Sequence, residues 1–177
     1  MRAFDGRAAF RCIVPADTKK RVLDATTSFA IPPGSTVWSH GFRGHYEGVH
    51  TKKAIADVEA GEWAPPQLDC ELPNGTGYGS ITEADLAYYA GMELQADGHR
   101  GFLARLGNAE PISYPFHPRY PQNEERVKIP ASFTETITTP WHVVMADPDL
   151  NALVNSDIVP NLCPTHKALF PDGIDTR

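Results

Sequence analysis

Three of the seven histidines of this chain fall in one short stretch, Ser39–His50, which reads S-H-G-F-R-G-H-Y-E-G-V-H. On a strand, His45 and Glu47 share one face while Tyr46 and His50 take the other. A His-x-Glu pair offers one imidazole and one carboxylate to a divalent metal. Two histidines with a carboxylate are a common set for non-haem iron or zinc. Gly41, Gly44 and Gly48 permit bends that return His40 toward that pair. The expected metal ligands are therefore His40, His45, Glu47 and His50, with iron or zinc acting as a Lewis acid or holding an activated water. A second pair of oxygens comes from Asp69 and Glu71, which project together from one face of an alternating segment and suit acid–base work or a solvated surface.

Part of the histidine-rich stretch resembles the first metal motif of the cupin barrels, G-x5-H-x-H-x(3,4)-E-x6-G. Gly34 precedes His40 by the required interval, and Pro33-Gly34 suits the opening turn. The sequence departs from the motif at position 42, which is Phe, and the next imidazole is His45, with Glu47 displaced. The resemblance implies a small metal-dependent enzyme. Cys163-Pro164-Thr165-His166, taken with His45-x-Glu47, is loosely similar to the zinc nucleobase deaminases, which use H-x-E and P-C-x-x-C. Here His166 stands where the second cysteine belongs, no proline precedes Cys163, and about 115 residues separate the two parts. No G-x-S-x-G, phosphate-loop or dinucleotide fingerprint is present.

A different chemistry is offered by Pro111–Pro130, where prolines at 111, 115, 118, 121 and 130 are interleaved with aromatic rings. Proline fixes φ and removes a donor, so the stretch is expected to run extended and unpaired. Tyr114, Phe116, His117 and Tyr120 are then available as an interface, together with Phe170 in the apolar Leu169-Phe170-Pro171. The reading this favours is a non-catalytic structural subunit of a larger assembly, such as a particle or virion component, docking through this arm and the C-terminal tail. The metal-dependent enzyme is the alternative. A third reading is a carbohydrate- or peptide-binding module that stacks ligands on Trp38, Tyr46 and Trp63.

The balance of 16 Lys+Arg against 22 Asp+Glu over 177 residues, net −6, argues against a phosphate-backbone binder, so no nucleic acid is expected as partner. A protein partner or self-assembly is expected instead. No apolar run is long enough to span a bilayer, which excludes a membrane-spanning helix. Met1–Arg7 lacks the apolar core of a secretory signal, so the expected location is the cytoplasm or a particle made there. Three cysteines without C-x-x-C spacing are expected to be reduced.

The elements that must position these residues are short. An N-terminal hairpin closed by Asp5-Gly6 is expected, as are strands at Ser28–Ile31 and Thr36–Trp38 on either side of Pro32-Pro33-Gly34. Leu68, Cys70 and Leu72 alternate with Gln67, Asp69 and Glu71, and Trp141, Val143 and Met145 alternate with His142, read as a structural histidine, and Val144. Helices are expected after Thr82 to Asp97-Gly98, over Phe102–Leu106, over Thr51–Ala60 and after Asp147-Pro148. Around the Thr51–Ala60 segment Lys52 and Lys53 stand at the N-terminal end and Glu59 and Glu62 at or just beyond the C-terminal end, the wrong way round for a helix dipole. The expected fold is α+β: a mainly antiparallel sheet of short strands with three or four short helices and a Pro-rich extended arm. The expected division is a main region over 1–110, the arm over 111–130, and C-terminal strands and a helix over 131–177 on the same domain.

Overall fold

The computed structural model describes residues 1–15, 20–22, 26–41, 48–87, 89–106, 131–133 and 136–163. The strands, in chain order, are β1 (Arg2–Phe4), β2 (Arg7–Phe10), β3 (Ile13–Val14), β4 (Lys20–Val22), β5 (Ser28–Ala30), β6 (Thr36–Ser39), β7 (Thr51–Ala54) and β8 (Trp63–Ala64). They continue with β9 (Leu68–Glu71), β10 (Tyr78–Ala84), β11 (Met92–Ala96), β12 (Gly101–Leu106), β13 (Ala131–Phe133), β14 (Ile137–Thr138) and β15 (Trp141–Asp147). A seven-stranded sheet has the order β1-β2-β15-β10-β9-β6-β7, and a four-stranded sheet the order β5-β12-β11-β8. Two small ribbons, β13-β4 and β14-β3, accompany them. Every pairing among the described residues is antiparallel.

The core forms where period-two side chains from the two sheets meet. Val37, Leu68, Cys70 and Ile81 of the larger sheet face Phe29, Met92, Leu94, Phe102 and Ala104 of the smaller. A second layer lies on the other face of the larger sheet. There Ala9, Ala84, Trp141, Val143 and Met145 pack under two five-residue helices, α1 (Leu150–Val154) and α2 (Ile158–Leu162), through Leu153, Ile158 and Leu162. The layers are thus sheet, sheet and a small helical cover.

Several expectations hold at this level. The Asp5-Gly6 hairpin pairs Phe4 with Arg7, and Gly6 at φ 65° is tucked so closely under the Ala146 carbonyl that a Cβ would stand 2.6 Å from its oxygen. In β9, Leu68 and Cys70 are buried and Asp69 and Glu71 point the other way; in β15, Trp141, Val143 and Met145 are buried together. The helix after Pro148 forms, although its cap is Asp149, whose Oδ1 accepts the Ala152 N–H at 2.8 Å.

The expected α+β class with three or four helices is overturned: the molecule is an antiparallel sheet structure. Among the described residues, helix is confined to α1, α2 and 3-10 turns at Ile55–Asp57 and Pro73–Gly75. The segment following Thr82 is the end of β10 and then β11, and Phe102–Leu106 is β12. Asp97-Gly98, read as a helix stop, is the turn of the β11–β12 hairpin. Asp97 Oδ1 accepts the N–H groups of His99 (2.6 Å) and Gly101 (2.9 Å), while Gly98 and Arg100 take positive φ. Thr51–Ala60 is β7 plus a 3-10 turn. Its lysines form ion pairs outside any helix, Lys52 with Glu71 of β9 at 2.7 Å and Lys53 with Glu62, in the turn before β8, at 2.5 Å.

Candidate functional site

Two concave regions gather polar side chains. The first, about 220 Å³, lies at the rim of the inter-sheet core. Near one end of the ladder shared by β10 and β15, Glu83 stands directly opposite His142, and residues directly opposite on antiparallel strands share a face. That face is the one that carries Ile81 and Val144 into the sandwich. The Met92 N–H donates to both Glu83 carboxylate oxygens at 3.1 Å. Burial outweighs that bond and pushes the Glu83 carboxyl up to about 7. His142 stacks on Phe10 with ring centroids 5.3 Å apart, and its Nδ1 is 3.2 Å from the Met92 sulfur. Burial holds the imidazole below its ordinary pKa, so it is neutral at pH 7. The Tyr89 hydroxyl, on the same wall, is pushed up by burial and then by Cys12. The pocket opens beside an apolar rim, with Ile13 60%, Val14 43% and Leu86 51% exposed.

The second region is a groove of about 670 Å³ on the outer face of the seven-stranded sheet. Lys52, Trp38 and Asp69 are neighbours across β7, β6 and β9. The Lys52 ammonium lies 5.2 Å from the centre of the Trp38 ring and forms the ion pair with Glu71. Burial raises the Asp69 carboxyl, opposed by the Ser80 hydroxyl and by the charge of His50. Tyr78, Leu150 and Leu153 complete the far wall.

Of the expected metal ligands, the structure brings His40 and His50 together: their rings meet edge to face, with centroids 4.9 Å apart. His40 is buried, with Nδ1 3.2 Å from the Gly41 carbonyl, and Gly48 lies against it so closely that a Cβ would stand 2.5 Å from that nitrogen. His45 and Glu47 lie outside the described residues. Among the described residues, no group of three or more His, Cys, Asp or Glu side chains is placed to hold a metal ion. Tyr114, Phe116, His117, Tyr120 and Phe170, expected as an interface, also lie outside the described residues, as does His166. Sequence reading missed Glu83 altogether. The sequence around it, S-I-T-E-A-D-L, offers no distinguishing signal, and its pairing with His142 depends on strand register.

The family model described as glycosyl-hydrolase 97 N-terminal matches residues 1–164. Among solved structures, a glycoside hydrolase family 97 enzyme from Pseudoalteromonas sp. strain K8, in complex with acarbose, superposes with a TM-score of 0.74 at 24% identity. The match covers 93% of this chain and 23% of that one. The E480Q form of the enzyme, in complex with panose, aligns equally well. A beta-arabinopyranosidase gives a TM-score of 0.67 at 17% identity, covering 89% of this chain and 26% of its own. The chain therefore spans about a quarter of the length of these structures. A search of curated proteins finds no match.

These matches overturn both functional readings made from the sequence. A particle or virion subunit does not fit a family named for glycosyl hydrolases. The cupin-like metal enzyme fails with it, because the stretch that resembled the motif belongs to the β6–β7 connection of an open two-sheet structure.

Proposed function

The chain belongs to the glycosyl-hydrolase 97 N-terminal family, and from that premise we propose that it is the N-terminal β-sandwich domain of a larger glycoside hydrolase, supporting hydrolysis performed elsewhere in that polypeptide. The observation that carries this reading is the family match over residues 1–164, in a chain that spans a quarter of its structural relatives. The chemistry agrees. Glycoside hydrolysis generally needs two carboxyl groups roughly 5–10 Å apart across a sugar site, one protonated. Glu83 has the raised pKa of an acid, yet both its oxygens are engaged by the Met92 amide and its cross-strand neighbour is a neutral imidazole. Glu71 is held by Lys52. Neither carboxylate is equipped as half of a hydrolytic pair.

The rest of the enzyme packs, in this reading, on the rim with Ile13, Val14 and Leu86. Exposed aliphatic side chains beside an apolar pocket are what an inter-domain contact covers.

The test is the native polypeptide. An antiserum raised against this chain should detect a protein several times its mass in extracts of the source cells. Glycosidase activity on 4-nitrophenyl glycosides should be depleted with that protein, and the isolated 177-residue chain should show none. A native product of 19 kDa, or turnover by the isolated chain, would refute the proposal.

A further inference from the structure

The outer groove is not explained by support of a distant catalytic centre. Among the described residues, the α1–α2 cover packs over Ala9, Ala84, Trp141, Val143 and Met145 of β2, β10 and β15 and leaves the β9-β6-β7 half of the same face open. On that open half Trp38 keeps 40% of its surface exposed. A half-exposed indole in a groove lined by polar side chains is a ready stacking surface.

What surrounds the ring narrows the occupant. Asp69 and Glu71 offer carboxylate acceptors from one face of β9, and the Lys52 ammonium brings its donors over one face of the ring, leaving the other for a ligand. His50 and Tyr78 add groups that both donate and accept. Charges of both signs lie within one short span, so the groove is matched to neither an anion nor a cation. Half-charged walls also do not suit a packed protein interface, whose centre is depleted of charge. An aromatic plane ringed by donors and acceptors matches a ligand with a flat face of C–H bonds and an edge of hydroxyls. The volume lies within the usual few hundred Å³ of small-molecule sites.

We propose that this groove binds a neutral oligosaccharide, with Trp38 stacking on one sugar ring and Asp69, Glu71 and Lys52 hydrogen-bonding its hydroxyls. The inference stands on the groove and does not depend on the chain's place in a larger enzyme.

The experiment is an NMR titration of the 177-residue chain with maltoheptaose, cellohexaose, xylohexaose and galactohexaose in turn. At least one should give saturable shifts centred on the Trp38 indole, Lys52 and Asp69. Trp38→Ala should weaken that binding about tenfold or more, the scale of one lost aromatic stack with its buried area. Asp69→Asn should weaken it as well, while Leu86→Ala, at the opposite rim, should leave it unchanged. Thermal melts of each variant establish that it is folded. Absence of saturable binding by all four sugars, shifts centred elsewhere, or wild-type affinity in folded Trp38→Ala would overturn the proposal. So would protection of Trp38 from hydroxyl-radical labelling in the longer natural polypeptide, since the ring would then be an internal contact.

Discussion

At the scale of single residues, Glu83 has the strongest consequence for the molecule. Its carboxyl, with an ordinary value of 4.5, is raised by burial to about 7 in the folded protein. A raised acid favours the folded state while it is protonated there, so its contribution is complete below the unfolded pKa and disappears as pH rises through the folded one. Between pH 4 and pH 8 the loss is about 3 kcal/mol at most, from a shift of that size at about 1.4 kcal/mol per unit. Burial of the His142 imidazole works the other way over this interval, so comparison with a variant isolates the carboxyl: urea melts should show the wild type losing stability relative to Glu83→Gln from pH 5 to pH 8. Glu83→Gln should leave the protein more stable than wild type at pH 8. A wild-type stability that does not fall relative to Glu83→Gln over this interval would mean that Glu83 is already ionised when folded. Gly48 gives a second prediction at this scale. A methyl group there meets the buried His40 ring, so Gly48→Ala should cost about 1–3 kcal/mol by overpacking, read as a lower melting temperature. Gly61, whose Cβ would meet open space but whose φ is +84°, should cost only the backbone strain of a left-handed residue, about 1 kcal/mol.

At the scale of elements, the strands that were legible in the sequence are those with one face in the core and one in a different environment. β9 and β15 alternate because each pleat separates two surroundings, and the β1–β2 hairpin announces itself through Asp5-Gly6. The strands read as helices failed for a shared reason. In β11, Met92, Glu93 and Leu94 are all buried, so no period of two survives in the residue types. The apparent helical spacing of Leu86, Tyr89, Ala90 and Leu94 spans a break after β10, where Asp85 takes φ 60°, followed by the start of a strand in the other sheet. The lysines and glutamates around β7 were a clue in plain view. Charges that oppose a helix dipole are well placed as partners across strands, and Lys53–Glu62 joins β7 of one sheet to the turn entering β8 of the other. The site was less legible still, because Glu83 meets His142, and Trp38 meets Asp69, only through register between strands distant in sequence. If β11 is a central strand whose inner face is Leu94, fully buried between the sheets, Leu94→Ala should destabilise by about 2–5 kcal/mol. An exposed helical Leu would cost well under that, and a urea titration separates the two.

At the scale of the whole molecule, apolar and polar exposure are segregated. The rim around Cys12, Ile13, Val14 and Leu86 is aliphatic and borders a pocket walled by Met92, Leu106, Ile137 and Pro140. The outer face carries the charged groove. If the rim is covered by the remainder of a longer enzyme, its residues have one environment in the isolated chain and another in the intact polypeptide, and a charge placed there should tell them apart. Ile13→Asp should leave the melting temperature of the isolated chain nearly unchanged, because surface substitutions away from special contacts stay within about 0.5 kcal/mol. In the intact polypeptide the same substitution buries a carboxylate against an apolar partner. It should then lower the melting temperature or release this domain to protease, since an unpaired buried charge costs several kcal/mol. Equal effects in the two contexts would show that the rim remains in water throughout, and the contact between this domain and its catalytic partner would have to be sought on another face.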